Sequence, residues 1–323
     1  ALSPAFWAGR RVLITGHTGF KGSWLALWLQ HLGSRVYGYS LPALTQPNLF
    51  ELACVGKGLT EVIADVRDLP RLRAAFEEAS PEIVFHLAAQ SLVRTSYSDP
   101  VGTFATNVMG TAHLLEAARH CTSVRAVLVV TTDKCYENLE STRSYRESDP
   151  LGGRDPYSGS KACAELVTAV YRESFFRATE DPAAVASARA GNVIGGGDWA
   201  RDRLVPDVIA AFSADRSPVI RNPGAIRPWQ HVLDPVHGYL ILAERLWGNA
   251  GAFSGAWNFG PTEKNTVPVS GLVTRLAQLW GAPCEWIRDS GSQPHEAEQL
   301  RLNSSKARVE LQWKPRLNLD TAL

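Results

Sequence analysis

The chain lacks the features that would point to a metal site, a membrane or a nucleic acid. Its 323 residues include one methionine and five cysteines (positions 54, 121, 135, 163 and 284), and the cysteines have no metal-binding spacing. The formal net charge is only +1, which does not favour nucleic acid binding. No apolar run is long enough to span a membrane, and no signal peptide is expected. We therefore expect a cytoplasmic protein with reduced thiols.

Short apolar runs alternate with helical patterns through the first half of the chain. Alternating strands and helices indicate a parallel sheet with right-handed crossovers, an α/β fold of the doubly wound Rossmann type. Tryptophan and proline become frequent after residue 192. We therefore predict a nucleotide-binding domain over 1–191, rejoined by 230–258, and a smaller substrate-binding lobe over 192–323. Strands are predicted at 12–15, 35–39, 62–64, 83–87, 127–132 and 185–189, and helices near 21–32, 69–79, 101–120 and 157–177.

A glycine-rich turn follows the first predicted strand. Its sequence, Gly16-His-Thr-Gly19-Phe-Lys-Gly22, leads directly into an amphipathic helix. Bare glycines let backbone N–H groups approach a phosphate, and the positive end of the helix dipole favours the same anion. The turn therefore predicts a pyrophosphate site, and its cofactor-binding residues are Gly16, Thr18, Gly19, Phe20, Lys21 and Gly22.

Two further motifs carry groups for proton transfer. Tyr157 and Lys161 share one face of a predicted helix. A lysine cation beside a phenol favours the phenolate, which can take a proton from a hydroxyl group. Thr132, Asp133 and Lys134 follow an apolar strand, and the last two add a second acid and base that a simple alcohol dehydrogenase does not need. We predict that all five are catalytic; the alternative is that Asp133 and Lys134 form a solvated ion pair.

Together these motifs resemble the extended short-chain dehydrogenases/reductases, the family of nucleotide-sugar epimerases and dehydratases. Further resemblance lies in Asp65-Val66, Phe85-His-Leu-Ala-Ala-Gln90, Asn107-Val-Met-Gly-Thr111 and Arg189-Ala-Gly-Asn192. Within the family the chain is most similar to the 4,6-dehydratases, through residues 18–24, 132–136, 189–199, 226–232 and 294–297. The dTDP-glucose dehydratases of this family have Asp-Glu where this chain has Asp133 and Lys134, and the 4-epimerases have no such pair.

The resemblance implies a cofactor and its contacts. From the residues alone, NAD and NADP both stay open, because no carboxylate follows the second predicted strand and Ser40 is the nearest polar residue. The resemblance implies NAD. The further contacts with NAD that it implies are Ser40, Asp65, Val66, Leu87, Ala88, Ala89, Gln90, Thr106, Tyr157 and Lys161.

The resemblance also implies a substrate, CDP-glucose, and a quaternary structure. Arg227 is our first choice for the diphosphate, because a guanidinium matches phosphate oxygens. The predicted substrate-binding residues are Ser91, Asn192, Arg203, Arg221, Arg227 and His295. The resemblance further implies a homodimer or a dimer of dimers, formed by the helices near 101–120 and 157–177, with an interface of Ala105, Val108, Ala112, Leu115 and Ala118.

The implied reaction has three steps. Tyr157 would take the proton of the 4-hydroxyl, held by Thr132, while C4 is oxidised. Lys134 would then remove the proton at C5 and Asp133 would protonate the departing 6-hydroxyl. Return of the hydride to C6 gives a 4-keto-6-deoxy sugar, a precursor of deoxysugars in a bacterial surface polysaccharide. Two alternatives stay open: an epimerase or reductase, which would leave Asp133 and Lys134 unused, and a non-catalytic NAD-sensing protein.

Overall fold

The computed structural model describes residues 2–140, 142–177, 183–262, 265–291 and 297–323. Its strands are β1 (Arg11–Thr15), β2 (Arg35–Ser40), β3 (Leu59–Ile63), β4 (Ile83–His86), β5 (Ala126–Val130), β6 (Ala184–Ala190), β7 (Val193–Ile194), β8 (Val219–Ile220), β9 (Ile226–Pro228), β10 (Gln230–His231), β11 (Gly255–Phe259), β12 (Thr266–Pro268) and β13 (Ile287–Arg288). Its helices are α1 (Pro4–Trp7), α2 (Phe20–His31), α3 (Leu49–Leu52), α4 (Leu69–Ala79), α5 (Val93–Ser98), α6 (Pro100–Phe104), α7 (Gly110–Arg119), α8 (Pro156–Tyr171), α9 (Leu204–Ser213), α10 (Leu233–Gly248), α11 (Ala250–Phe253), α12 (Val269–Trp280), α13 (Ser305–Glu310) and α14 (Leu319–Ala322). Short 3-10 turns lie at Val55–Gly58 and Asp133–Cys135, and π-helical turns at Ala105–Met109 and Arg172–Phe176.

Seven strands form one parallel sheet in the order β11-β6-β5-β4-β1-β2-β3. The chain order runs outward in both directions from the junction of β1 and β4, which is the pattern of a doubly wound sheet. The predicted fold class is therefore confirmed. In such a sheet, ligands bind in the crevice beyond the carboxyl ends of the strands where the order reverses.

Two predicted strands differ from the structure by more than one residue at an end. β3 begins at Leu59 rather than at 62. It is a largely exposed edge strand, so polar side chains interrupt the apolar run that would have revealed it. β5 ends at Val130 rather than at 132. Thr131 and Thr132 therefore lie beyond the carboxyl edge of the sheet.

Helices cover both faces of the sheet, so both faces are buried. Because successive side chains of a strand point to opposite faces, neighbouring residues belong to different clusters. Val12 and Ile14 belong to a cluster with α2 and α10, whereas Leu13 belongs to a second cluster with α4 and α7. α10 and β11 come from late in the chain, yet α10 packs on the sheet and β11 pairs with β6. The predicted division into two domains at 191 stays a prediction.

A smaller apolar cluster, formed by elements from the second half of the chain, lies beside the crevice. α9 and α12 pack together through apolar side chains that include Phe212 and Leu272. This part of the chain is joined to the crevice by three two-stranded sheets, which pair β7 with β10, β8 with β13 and β9 with β12. None of the helices in the described ranges is long and apolar enough to cross a membrane.

The two long helices expected at 101–120 and 157–177 each contain a π-helical turn. The predicted interface on the first helix is wrong at two positions. Leu115 and Ala118 are buried within their own subunit, because α7 packs them against α4 and the sheet. The exposed apolar side chains of this region are Val101, Phe104, Met109, Leu166, Val170 and Phe175.

Candidate active site

A cavity of about 860 Å³ opens at the carboxyl ends of the strands, between the sheet and the smaller lobe. The structure brings almost all of the predicted site residues together on its wall. They are Gly16, Thr18, Gly19, Phe20, Lys21, Gly22, Ser40, Asp65, Val66, Leu87, Ala88, Ala89, Ser91, Thr106, Thr132, Asp133, Lys134, Tyr157, Lys161, Asn192, Arg203, Arg221 and Arg227. Residues from distant parts of the sequence thus share one crevice, which is the position that the strand order favours for a ligand.

Two predicted site residues are not on this wall. The Gln90 amide nitrogen donates to Thr103 Oγ1 at 2.9 Å, and its oxygen accepts from the Leu92 backbone N–H at 2.6 Å. The Gln90 side chain therefore fixes the loop after β4 instead of lining the cavity. His295 lies outside the described residues.

The glycine turn after β1 suits a dinucleotide pyrophosphate. Gly16 has φ +77°, and a Cβ there would lie 2.6 Å from the Ala88 nitrogen. A Cβ on Gly22 would lie 2.0 Å from the Gly16 carbonyl oxygen. Gly19 is the N-cap of α2 and supplies no side-chain cap, so the N–H groups of the first helical turn are available to an anion. The residues present therefore fit a bound dinucleotide.

The wall beyond β2 supplies hydroxyl groups and one ion pair. Ser40 Oγ lies 2.9 Å from Thr18 Oγ1, which also donates to the Leu41 carbonyl oxygen at 2.8 Å. Asp65 binds Arg67 with an oxygen–nitrogen distance of 2.6 Å, and this hydrogen bond lowers the pKa of Asp65. The hydroxyls of Ser40 and Thr18 and the carboxylate of Asp65 can form hydrogen bonds with the hydroxyl groups of a ribose.

Thr132, Asp133 and Lys134 form a tight turn directly after β5. Thr132 Oγ1 donates to Asp133 Oδ1 at 3.0 Å and accepts from the Lys134 backbone N–H at 3.3 Å. The Asp133 side chain is 1% exposed, and its Oδ2 has no hydrogen-bond partner among the described residues. Lys134 Nζ lies 3.8 Å from Asp133 Oδ1, and its side chain is 23% exposed. Asp133 is therefore buried in the cavity wall while Lys134 keeps partial contact with solvent, so the pair differs from the fully solvated ion pair considered from the sequence.

Tyr157 stands in the first turn of α8, at the same cavity. Asp155 caps this helix by accepting from the Ser158 backbone N–H at 2.9 Å, and Pro156 occupies the first turn. Burial raises the pKa of Tyr157 to about 12, although a hydrogen bond with Thr132 and the charge of Arg203 act in the opposite direction. The expected shift towards the phenolate is therefore wrong for the protein alone, because burial outweighs the neighbouring charges.

Lys161 lies one turn further along α8. Its Nζ donates to the Val130 carbonyl oxygen at 3.3 Å. Burial lowers the pKa of Lys161 to about 8, and the carboxylate of Glu165 partly offsets that shift. Glu165 is itself held by hydrogen bonds from Thr131 and Ser187 and by an ion pair with Arg189. A buried network beneath the cavity, formed by Glu165 with Thr131, Ser187 and Arg189, thus sets the position and the charge of Lys161.

Lys21 has a role that the sequence did not reveal. The glycine motif places it only at the pyrophosphate turn, but its Nζ lies 3.4 Å from the Tyr239 hydroxyl on α10. Burial, together with the charges of Arg203 and Lys161, lowers the pKa of Lys21 to about 7, and Asp133 acts in the opposite direction. Lys21 is therefore electrostatically coupled to the proposed acid. Its spacing in the sequence gives no signal for this, since Tyr239 and Asp133 are far away in the chain.

The smaller lobe contributes polar groups to the opposite wall. Arg203 donates to Ser91 Oγ at 3.0 Å and pairs with Asp198 at 2.9 Å. Asn192 carries a buried side-chain oxygen with no hydrogen-bond partner among the described residues. Arg221 contacts Asp202. Arg227 is almost fully buried and donates to the backbone carbonyls of Ile226, Ala297 and Glu298.

A doubly wound sheet with a phosphate-binding glycine turn, and a tyrosine–lysine pair on a helix beside it, is the architecture of the extended short-chain dehydrogenases/reductases. The family model for GDP-mannose 4,6 dehydratase matches residues 13–250. The CDP-glucose 4,6-dehydratase of Salmonella typhimurium is 50% identical to this chain, and the alignment covers 98% of this chain and 89% of the Salmonella protein. The chain belongs to this family of 4,6-dehydratases, and the resemblance seen in its motifs is confirmed.

Solved structures agree with this assignment. The dTDP-glucose 4,6-dehydratase of Streptomyces venezuelae, crystallised with NAD, is 25% identical, covers 97% of this chain and 94% of its own, and has a TM-score of 0.84. The UDP-glucose 4-epimerase of Thermotoga maritima is 21% identical, covers 96% and 95% of the two chains, and has a TM-score of 0.83. The epimerase shows the fold alone. Dehydratases and epimerases therefore share this fold, so the fold alone does not distinguish them.

Proposed function

We propose that this chain is a lyase that converts CDP-D-glucose to CDP-4-keto-6-deoxy-D-glucose and water, with NAD as its cofactor. The observation that carries this function is the placement of Asp133 and Lys134 in the cavity, next to the hydrogen-bonded Thr132 and Tyr157. An epimerase or reductase needs no such second acid–base pair. The 50% identity to a CDP-glucose 4,6-dehydratase over nearly the whole chain supports both the reaction and the cytidine nucleotide.

Oxidation at C4 requires that the proton of the 4-hydroxyl leave the sugar. When bound, NAD supplies a hydride acceptor for C4 and a hydride donor for C6. We assign the proton at the 4-hydroxyl oxygen to the Tyr157 hydroxyl, with Thr132 orienting both groups. Because burial keeps Tyr157 protonated on its own, the positive charge at Arg203 matters: it stabilises the negative charge that develops on the phenol oxygen. We assign the same effect to Lys161, which lies one helical turn further along α8 and also lines the cavity.

Elimination of water across C5 and C6 requires one base and one acid. Lys134 is the proposed base at C5 and Asp133 the proposed acid at the 6-hydroxyl. The step balances when Lys134 begins as the neutral amine and Asp133 as the protonated carboxyl: Lys134 gains the C5 proton, Asp133 gives its proton to the departing hydroxyl, and the pair ends as an ammonium and a carboxylate. Asp133 Oδ1 already accepts from Thr132, whereas Oδ2 has no partner among the described residues. Oδ2 is therefore the oxygen that would donate its proton to the departing hydroxyl.

Binding of the nucleotide diphosphate requires fixed cations on the wall of the smaller lobe. Arg203 and Arg221 line the cavity, and a guanidinium can bind two phosphate oxygens at once. The partnerless side-chain oxygen of Asn192 accepts from a sugar hydroxyl in this proposal. Arg227 also lines the cavity, but its guanidinium binds backbone carbonyls, so its contribution is to hold residues 297–298 in position, and a direct contact with the diphosphate stays a prediction.

The exposed apolar side chains of α6, α8 and their π-helical turns support a homodimer. Val101 and Val170 are 78% and 59% exposed, and exposed apolar surface of this kind marks an association site when it is contiguous. All five cysteines are free thiols, which supports function in the reducing cytoplasm. We further propose that the product serves deoxysugar synthesis for the O-antigen of a lipopolysaccharide.

The reaction is tested by incubating the protein with NAD⁺ and, separately, CDP-, dTDP-, UDP- and GDP-glucose, followed by mass spectrometry of each sugar nucleotide. Loss of one water from CDP-glucose alone is the expected result. Loss of water from another nucleotide would contradict the proposed base preference. Unchanged mass with all four sugars, together with interconversion of glucose and galactose nucleotides, would establish an epimerase instead.

A further inference from the structure

A second cavity, of about 700 Å³, lies on the α8 side of the sheet beneath the active site. Its wall is built from the segment 146–151, α8 and the following π-helical turn, β6, β11 and the start of α13. None of the residues that line it also lines the active-site cavity. The two cavities are therefore separate, although Glu165 on the wall of the second lies one helical turn from Lys161.

The charged side chains on this wall are unbalanced in favour of cations. Among the described lining residues, Arg146, Arg172, Arg189 and Lys306 face only two carboxylates, Glu147 and Glu165. Arg172 also pairs with Glu173, which does not line the cavity, at 3.1 Å. One positive charge is then left over on the wall, and this charge favours an anionic ligand. Guanidinium groups also match the geometry of phosphate oxygens, so three arginines on one wall favour a phosphate over a simple halide or other spherical anion.

Arg189 provides the most specific observation. Its residue is 3% exposed, Nη2 binds Glu165 at 2.7 Å and Nη1 donates to the Tyr136 hydroxyl at 2.9 Å. Its Nε, by contrast, is buried without a hydrogen-bond partner among the described residues. Buried N–H groups are rarely left in this state, so this N–H of a cavity-lining residue is available to an acceptor.

The rest of the wall has the character of a sugar-binding surface. Ser148, Asn303 and Ser305 offer neutral hydrogen-bonding groups, and Leu151 and Ala169 offer apolar contacts. The volume lies within the range of small-molecule sites and is larger than an inorganic phosphate requires. We propose that this cavity binds a sugar phosphate, whose phosphate group contacts Arg189 and the cationic rim and whose sugar occupies the remaining volume.

The test is calorimetric titration of the full chain with glucose 1-phosphate and, separately, with inorganic phosphate. Arg146→Gln removes an exposed rim cation of this cavity, and roughly tenfold weaker binding is expected, as for the loss of one charge-assisted hydrogen bond. Arg203→Gln tests the active site, and Arg154→Gln is a matched surface control that lines neither cavity. Both are expected to bind glucose 1-phosphate as tightly as the unmodified protein.

Absence of heat with glucose 1-phosphate would overturn the proposal, as would binding that Arg203→Gln abolishes and Arg146→Gln leaves unchanged. Equal affinity for inorganic phosphate would overturn the part that concerns the sugar. Lys306→Gln, on the opposite rim, repeats the test without relying on one variant. Circular dichroism verifies that each variant is folded. Because the readout is binding, these results do not depend on whether CDP-glucose is the substrate.

Discussion

Replacing Lys134 by methionine removes the proposed base at C5 while keeping an unbranched side chain of similar length. The reaction up to C4 oxidation needs Tyr157, Thr132 and the cofactor, none of which the substitution alters directly. The elimination of water needs the amine. We therefore expect Lys134→Met to oxidise the sugar and then stop before dehydration.

The expected size of the effect can be separated from any loss of stability. A general base contributes about 10² to 10⁴ in rate, or about 3 to 5 kcal/mol of transition-state stabilisation. The attraction between Lys134 and Asp133 at 3.8 Å is about 1 kcal/mol in a water-like medium and about 4 kcal/mol at an effective dielectric constant of 20. Lys134 is partly exposed, so the lower part of this range applies. A domain with an unfolding free energy of about 5 to 15 kcal/mol stays folded after such a loss.

The assay follows two signals in D₂O. The absorbance of enzyme-bound NADH reports oxidation at C4, and mass spectrometry reports deuterium at C5 and loss of water from C6. Lys134→Met is expected to accumulate bound NADH, with little exchange at C5 and a turnover number lower by 10² to 10⁴.

Lys134→Arg is the decisive companion, because arginine keeps the charge beside Asp133 but does not deprotonate. It is expected to be as inactive as Lys134→Met. Lys57→Met, at an exposed lysine, serves as the control. Dehydration by either Lys134 variant at the rate of the unmodified protein would refute the assignment of the base. Recovery with arginine alone would show that only the positive charge is needed.

Three further substitutions test the support of the site. Glu165→Gln leaves the buried Arg189 without its counter-charge, so urea unfolding is expected to show a loss of about 3 to 5 kcal/mol. His86 has a pKa lowered by burial from 6.5 to about 3, so stability falls as pH drops from about 6.5 to about 3, by roughly 4 to 5 kcal/mol in total. His86→Asn is expected to remove that part of the pH dependence. Gly22→Ala forces a Cβ against the Gly16 carbonyl oxygen. Calorimetry is expected to show a loss of NAD-binding free energy at least as large as the loss of unfolding free energy.

Each of these substitutions has a matched control. Glu173→Gln breaks an exposed ion pair and is expected to cost about 1 kcal/mol or less. His31→Asn replaces an exposed histidine, so an acid stability curve that it flattens as much as His86→Asn would contradict the role of burial. Gly251→Ala lies in a helix where a Cβ meets only the Asn249 side-chain oxygen at 3.7 Å. If it weakens NAD binding as strongly as Gly22→Ala does, the steric argument fails.

The features that could be predicted are those with local causes. The apolar runs determine the strands, and the alternation of strands and helices determines the parallel sheet. The glycine turn and the spacing of Tyr157 and Lys161 are also local, so both could be placed on their elements from the sequence. The bounds of β3 could not, because an exposed edge strand needs no apolar face. The prediction of Leu115 and Ala118 as interface residues was wrong for a different reason. An amphipathic pattern shows that one face of α7 is buried, but not whether the same subunit or a second one buries it.

Long-range electrostatics could not be predicted at all. The pKa of Tyr157 rises because of burial that depends on the whole cavity, although its neighbour Lys161 suggested a fall. The coupling of Lys21 to Asp133 joins two segments that are separated by more than a third of the chain. Arg227 has the residue type of a phosphate ligand, yet its guanidinium binds backbone carbonyls that no pattern reveals.

In the proposed mechanism, the difference between a dehydratase and an epimerase on this fold lies in the short turn that carries Asp133 and Lys134. β5 ends at Val130, and the Thr131 backbone N–H still donates to the Ala188 carbonyl oxygen at 2.9 Å. Residues 132–134 therefore lie just beyond the strand, and their side chains can change without disturbing the strand pairing. Within the turn the two functional side chains differ in freedom. Asp133 is buried, and a Cβ added to Gly191 would lie 3.1 Å from its Oδ2, so the acid is fixed by close packing. Lys134 is partly exposed and contacts the cavity, so the base can be exchanged for another residue type at little structural cost. A scaffold of this kind allows the base to vary between relatives while the acid and the sheet beneath it stay in place.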